Sequence, residues 1–142
     1  MIEIALQNPR RYRSLDPPDL RRWLARVLDD LAPDADSFGV RFVNDAEMQR
    51  LNLQYRGHDS TTDVLSFQGE EASKGYHLGD VVIAVPTARR QSVAGGITEQ
   101  QEIRTLLLHG VLHCLGHDHE TDAGEMKRLE GRLRKRWLGD VD

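Results

Sequence analysis

The chain has 142 residues, of which 39% are apolar and 30% charged, and its formal net charge is −4. This length and composition predict one domain, spanning residues 1–142, with a single hydrophobic core. No stretch approaches the roughly 20 apolar residues of a membrane span, the N-terminus lacks a secretory signal pattern, and a single cysteine, Cys114, excludes an intrachain disulfide. We therefore expect a cytoplasmic protein, and the negative charge argues mildly against a nucleic-acid partner.

The first half of the chain predicts strands that alternate with helices. Apolar residues alternate in the first segment and recur three and four apart in the next. Polar residues stand where the helices would begin. The predicted elements are a strand over residues 2–6, a helix capped by Asp16 that runs to Leu31, a strand over residues 38–43, and a helix that starts with an Asn44 and Glu47 capping box and ends near Tyr55.

The second half predicts two more strands and three helices. These are adjacent strands over residues 64–67 and 78–84, a short helix over 86–94 stopped by Gly95 and Gly96, a long helix capped by Thr98 and Gln101, and a last helix from about Thr121 to Leu138. The last helix is expected to pack Met126, Leu129, Leu133 and Trp137 inward. The mixture predicts an α/β or α+β fold, in which a small mixed sheet packs against helices and the long helix is buried at the centre.

Four histidines lie within residues 109–119, which read HGVLHCLGHDH. His109 and His113 are four residues apart, so their rings reach a common point on one face of a helix. Gly116 can end that helix in the left-handed conformation, and the reversed chain can return His119 to the same point. Three histidines leave the fourth position of a zinc ion open for water, as in catalytic sites, whereas structural sites usually have four ligands. The spacing therefore predicts one catalytic zinc ion per chain.

The roles of several neighbouring residues stay open at this stage. His117 is either a group on the rim of the site or a further ligand, and Asp118 either orients a ligand or caps the turn. Cys114 is either a small apolar filler or an oxidation-sensitive thiol. Asp63 and Asp80 either support the site or form hydrogen bonds at the ends of strands.

The histidine segment is similar to the metzincin protease signature H-E-x-x-H-x-x-G-x-x-H, with Gly110 in the place of the glutamate. In those proteases the glutamate takes a proton from the water at the zinc ion. Glycine has no group that can do so, which argues against peptide hydrolysis by that route. The ion can still polarise a phosphate oxygen through its charge alone.

Three blocks of the sequence resemble the YbeY family of bacterial zinc endoribonucleases. The histidine segment is similar to that family's H-G-x-L-H-x-x-G-x-D-H. Residues 51–67 contain LNLQYRGHD and TDVLSF, which resemble N-x-x-Y-R and T-D-V-L-S-F, and residues 78–83, LGDVVI, resemble L-G-D-I-x-I. The chain departs from the family pattern, without losing a ligand, at Thr61, Cys114 and His117, where the family commonly has proline, an aliphatic residue and tyrosine.

The resemblance implies a single-strand-specific zinc endoribonuclease, a hydrolase of RNA phosphodiester bonds. Its implied role is ribosome biogenesis, in ribosomal RNA processing at the 3′ end of 16S rRNA and in ribosome quality control. The implied metal ligands are His109, His113 and His119, and the implied catalytic residues are His109 and Arg56, with Arg56 facing the ion across a cleft. A guanidinium offers phosphate oxygens a planar fork of donors. The nucleophile stays open between water at the zinc ion and the ribose 2′-hydroxyl.

The implied partners are single-stranded RNA, above all ribosomal RNA, and the small ribosomal subunit with its assembly proteins, and no membrane is implied. The distribution of charge is compatible with such partners. Residues 127–136 carry six basic residues against one acid, Glu130, and three arginines cluster at Arg10, Arg11 and Arg13. These clusters are candidate RNA or ribosome contacts, or simply solvated faces.

Two other classes of protein remain open. One is a non-catalytic ribosome-assembly factor whose zinc is mainly structural and whose contact with RNA is binding rather than cutting. The other is a zinc-dependent protease, which Gly110 disfavours.

Overall fold

The computed structural model describes residues 2–8, 15–73, 75–116 and 124–138. The strands in these ranges are β1 (Glu3–Gln7), β2 (Ser37–Val43), β3 (Val64–Gln68), β4 (Glu71–Ala72) and β5 (Gly75–Ala84). The helices are α1 (Pro17–Leu31), α2 (Asp45–Arg56), α3 (Val85–Gly95), α4 (Glu99–Cys114) and α5 (Glu125–Leu138).

The strands form a mixed sheet in the order β1-β2-β5-β3. β1, β2 and β5 are parallel, as expected for strands joined through helices, and β3 pairs with β5 in the antiparallel direction. β4 pairs with the start of β5 outside this order. The predicted α/β fold with a small mixed sheet is confirmed, and β3 lies at an edge of that sheet.

Local signals in the sequence set the helix starts. The side chains of Asp16 and Asn44 each accept a hydrogen bond from the backbone N–H three residues later. Thr98 and Gln101 form the predicted reciprocal box at the start of α4, with donor–acceptor distances of 3.0 and 2.9 Å. Such caps typically stabilise a helix by about 1 kcal/mol.

Two expectations about element boundaries were wrong. The last helix begins at Glu125 rather than near Thr121, because Gly124 has a φ of +90°, which a helix does not contain. Residues 121–123 lie outside the described ranges. The strand predicted over residues 78–84 begins earlier, at Gly75. Its added first residues pair with the short strand β4, which the sequence did not predict.

The helices cover the two faces of the sheet unequally. α1 and α4 pack on one face in the main core, and α5 packs on the outer side of α4 through Met126 and Leu133. α2 packs on the opposite face through Met48 and Leu51. The described helices therefore cover that second face only in part, and a groove lies on it.

α4 is the buried central helix that the sequence predicts. Eight of its residues are buried: Ile103, Leu106, Leu107, Leu108, Gly110, Val111, Leu112 and Cys114. Each large apolar side chain buried in this way contributes roughly 1.5–3 kcal/mol. The core therefore holds the backbone that carries His109 and His113 rigidly against the sheet. None of the helices described here is long and apolar enough to span a bilayer.

Candidate metal centre

His109 and His113 lie side by side on the exposed strip of α4. Their Nε2 atoms are 2.9 Å apart, and their ring centroids are 4.5 Å apart with the planes at 69°. The spacing of four residues puts both rings on one face of the helix, one turn apart. The predicted convergence of these two histidines is confirmed.

The end of α4 also follows the sequence. The helix ends at Cys114, and Gly116 has a φ of +97°, which is the left-handed conformation that glycine adopts at little cost. The predicted left-handed conformation of Gly116 is therefore confirmed. His117, Asp118 and the third predicted ligand, His119, lie outside the described ranges.

The two described histidines fit a zinc ion. With Zn–N distances of about 2.0–2.1 Å and tetrahedral angles, two imidazole nitrogens that share an ion stand about 3.3 Å apart. The observed 2.9 Å between the Nε2 atoms is close to that separation. Among residues 2–8, 15–73, 75–116 and 124–138, no group of three metal-binding side chains comes together, and the zinc site stays a prediction.

Glu130 of α5 holds the other side of the His109 ring. The Nδ1 of His109 lies 2.8 Å from Glu130 Oε1. A carboxylate accepts the proton of Nδ1–H, which fixes the tautomer whose Nε2 carries the lone pair. Histidine ligands of metals almost always have such a partner, which sets the ring orientation and raises the basicity of the ligand.

Gly110 allows α4 to lie directly on the sheet. A Cβ atom at this position would come within 2.7 and 2.9 Å of the two methyl groups of Val81 and 3.3 Å of Ser66 Oγ. A side chain here would point at the sheet and not into the space beside His109. The glycine that distinguishes this motif from the protease signature thus permits close packing of α4 on the sheet, and a larger side chain in its place would force Val81 or the helix to shift.

Arg56 stands at the end of α2 and reaches the outer edge of β3. The N–H of Gly69 donates to the Leu78 carbonyl, and because antiparallel ladders alternate, the carbonyl of Ser66 points away from β5. Arg56 Nη2 donates to that Ser66 carbonyl at 2.6 Å. Within the part of the chain that the structure describes, this bond engages one nitrogen of a group that carries five donors.

One cleft brings these residues together. It has a volume of about 540 Å³ and lies between the edge of β3 and the exposed strip of α4. Arg56, His109 and His113 all line it, with Gly116 at one end. The structure thus places Arg56 in one cleft with the two histidines, and its catalytic role opposite a zinc ion stays a prediction. The remaining lining residues are Val64, Leu65, Ser66, Phe67 and Gln68.

Three residues with open roles are not among those that line the cleft. Cys114 is buried and its thiol faces the Phe67 carbonyl at 3.7 Å. Burial, with a smaller contribution from Asp80, raises the pKa of Cys114 to about 12, so the thiol acts as an apolar filler. Asp80 lies 3.0 Å from His77 Nε2, and Asp63 accepts a hydrogen bond from Thr62. Neither aspartate is among the residues that line the cleft.

The basic residues of α5 are exposed, as the sequence predicts. Arg136 pairs with Asp30 at 3.5 Å, and Arg128, Arg132 and Lys135 border a shallow depression on the helix. Their contact with RNA or the ribosome stays a prediction. The cluster of arginines at residues 10–13 lies outside the described ranges.

Sequence reasoning missed the contact of Glu130 with His109. The sequence showed it only as the single acid of a basic helix. A usable signal was present, because Glu130 lies four residues after Met126 and three before Leu133. It therefore borders the apolar stripe that packs on α4 and does not belong to the solvated face.

The fold and the cleft define a class of protein: a mixed α/β domain in which a histidine pair on a buried helix faces an arginine across an open cleft, suited to a hydrolase of anionic substrates. The chain belongs to the YbeY family, since the family profile described as Endoribonuclease YbeY matches residues 5–137.

Relatives and a solved structure agree with this assignment. The chain is 46% identical to "Endoribonuclease YbeY" of Solibacter usitatus over 121 residues, which covers 85% of this chain and 79% of that protein. It is 37% identical to the Thermus thermophilus protein of the same name over 138 residues, which covers 94% and 98% of the two chains. The solution structure of TM1509 from Thermotoga maritima superimposes with a TM-score of 0.67 at 25% identity, covering 99% of this chain and 91% of that one.

Proposed function

We propose that this protein is a zinc-dependent endoribonuclease that cuts phosphodiester bonds in single-stranded RNA. The proposed target is ribosomal RNA, with the small ribosomal subunit and its assembly proteins as partners in the cytoplasm. The observation that carries the proposal is the cleft in which Arg56 and the pair of His109 and His113 face the same space. Membership of an endoribonuclease family supports the choice of RNA as substrate.

The histidines are proposed to hold zinc through Nε2 of His109, Nε2 of His113 and the ring of His119. The donor set of three imidazoles suits zinc and leaves one coordination position open. Bound there, zinc supplies Lewis-acid polarisation of a phosphoryl oxygen and lowers the pKa of water. Glu130 keeps the ring of His109 oriented toward the ion by accepting the proton of Nδ1–H.

Arg56 is proposed to bind the phosphate that is cut. Its guanidinium already donates to the Ser66 carbonyl, which holds the side chain over the edge of β3. The remaining donors can bind two phosphoryl oxygens at once and stabilise the negative charge that builds up on them. Losing one such contact typically raises the barrier by about 3–4 kcal/mol, a rate loss of a hundredfold or more.

The architecture disfavours peptide hydrolysis. A protease of the similar signature needs a carboxylate beside the first histidine, whereas Gly110 has none and faces Val81 and Ser66 of the sheet. The Glu130 carboxylate lies 2.8 Å from His109 Nδ1, on the side of the ring away from Nε2. Two nucleophiles suit the cleft, a water molecule and the ribose 2′-hydroxyl, and a 2′,3′-cyclic phosphate end on the product identifies the second.

The test is to compare Arg56→Ala with Arg50→Ala, which removes an exposed arginine from the same helix but outside the cleft. Cleavage and binding of a single-stranded ribosomal RNA fragment are measured separately with zinc-loaded protein. We expect Arg56→Ala to lose at least about a hundredfold in cleavage rate and Arg50→Ala to cut like the parent protein.

The outcomes separate the enzyme from the assembly factor. Equal cleavage by all three proteins would show a contaminating nuclease and refute the proposal. If the parent protein bound RNA without cutting it, and Arg56→Ala bound RNA more weakly, the results would favour an RNA-binding assembly factor whose zinc is mainly structural.

A further inference from the structure

A groove on the opposite face of the sheet lies next to the cleft. It has a volume of about 300 Å³ and a floor formed by β1, β2 and β5, where α2 leaves the sheet uncovered. Tyr55 and Leu51 of α2 form one wall, together with Phe67 of β3. Phe67 lines both the groove and the cleft, so the two spaces meet at the edge strand.

An aromatic pair stands at the junction of the two spaces. The rings of Tyr55 and Phe67 meet edge to face, with centroids 5.2 Å apart at 71°. The guanidinium carbon of Arg56 lies 5.5 Å from the centroid of Phe67. The arginine that binds the Ser66 carbonyl at the cleft therefore also covers one of the groove's aromatic rings.

Tyr55 is unusually exposed for an aromatic side chain. Its fractional exposure is 55%, although the Phe67 ring packs against it and is itself partly buried. The edge-to-face contact with Phe67 fixes the orientation of the Tyr55 ring. An exposed ring held in this way is a stacking platform, because every nucleobase has a π face that stacks on an aromatic side chain.

The size and lining of the groove suit a single base. Its volume of about 300 Å³ is at the lower end of the range in which small molecules bind. Apolar groups form the floor, including Val82, and the polar side chains of Gln7, Arg41 and Asp80 stand at its border. Those groups offer both donors and acceptors to the edge of a planar ring.

We propose that this groove is a nucleobase subsite in which Tyr55 stacks on a base of single-stranded RNA next to the phosphate held by Arg56. The inference rests on the proposed function, since it requires an RNA strand in the cleft. The strand crosses the edge of β3 at Arg56, with its phosphate on the cleft side and its base on the groove side. A duplex cannot place a base there without unpairing it, so the subsite also accounts for a preference for single strands.

The test uses Tyr55→Ala, Tyr55→Phe and, as a matched control, Leu53→Ala. Leu53 is 50% exposed on the same helix but does not line the groove. Binding of a short single-stranded RNA is followed by fluorescence anisotropy before appreciable cleavage. The RNA series contains an abasic residue at one position at a time.

We expect Tyr55→Ala to weaken binding about 5- to 150-fold, the range reported for base–aromatic stacking. Tyr55→Phe, which keeps the ring, and Leu53→Ala should bind like the parent protein. One abasic position should weaken binding to the parent protein by a similar factor and have no further effect on Tyr55→Ala, because the two changes remove the same contact.

Abasic penalties that are identical for the parent protein and Tyr55→Ala would overturn the subsite. If RNA cleavage persists in that case, the endoribonuclease proposal still stands; if the parent protein does not cut, that proposal fails separately. Self-association that disappears in Tyr55→Ala, seen by sedimentation, would instead assign the groove to contact with a second copy of the chain.

Discussion

Replacing Gly110 by alanine tests the packing of the helix that carries the histidines. A Cβ at Gly110 would stand 2.7 and 2.9 Å from the methyl groups of Val81, whereas carbon atoms pack best at about 3.5–4.0 Å. The overlap is thus roughly 0.8–1.3 Å for the closer methyl group and roughly 0.6–1.1 Å for the other. Val81 is fully buried and β-branched, so the rotation of its side chain is restricted.

The expected result is a loss of stability. Overpacking of this kind costs about 1–3 kcal/mol, and the upper part of that range applies because both methyl groups are confined. Alanine regains about 1 kcal/mol through its higher helix propensity. The net loss in the free energy of unfolding is therefore about 2 kcal/mol, which lowers the Tm by about 6 °C for a domain of this size.

The assay is urea unfolding of the metal-free protein, with two comparisons. Gly131→Ala changes a helical glycine with nothing within 4 Å of the new Cβ, so it should stabilise the protein by about 1 kcal/mol. Adding Val81→Ala to Gly110→Ala removes the clashing methyl groups. The double variant should therefore lose less free energy of unfolding than the two single variants lose together. If Gly110→Ala were as stable as Gly131→Ala, the close contact of α4 with the sheet would be refuted.

Three further predictions concern single side chains. Glu130→Gln should weaken zinc binding about 10- to 100-fold with an unchanged fold, measured by competition with a chelator; unchanged affinity would mean that Glu130 does not orient His109. Cys114 should resist alkylation at pH 8 in the native protein and react on unfolding, because burial raises its pKa to about 12; rapid labelling of folded protein would contradict this. Burial, with the Asp63 carboxylate adding to it, raises the pKa of Glu102 above its ordinary value of 4.5. As the pH rises above 4.5, the unfolded chain therefore loses this proton before the folded protein does, and the free energy of unfolding falls. Glu102→Gln has no such proton, so its stability relative to the parent protein should rise across that window. A stability difference that does not change with pH would refute this.

Local features of the sequence predicted much of the fold. The caps at Asp16, Asn44 and Thr98 act within three residues, so helix starts can be read without knowledge of the rest of the chain. The convergence of His109 and His113 likewise depends only on the geometry of one helix. The start of the last helix was predicted too early, because the composition before Glu125 suits a helix although Gly124 has a φ of +90°.

The parts that escaped prediction depend on how elements pack together. Glu130 reaches His109 only because α5 lies beside α4 in one register, which no local pattern encodes. From the sequence, Gly110 shows only that the glutamate of the protease signature is absent. Its role in packing α4 against Val81 becomes visible only in the folded structure. The Tyr55 groove exists because α2 covers part of a sheet face, and the extent of that cover is a property of the whole fold.

The most direct test of the central claim is a zinc titration of metal-stripped protein, with bound zinc and RNA cleavage measured in the same samples. The account predicts that cleavage rises in proportion to bound zinc, stops rising at about one ion per chain, and is lost in Arg56→Ala although that variant binds the same amount of zinc. Full cleavage by the metal-free protein, or equal cleavage by Arg56→Ala, would contradict it.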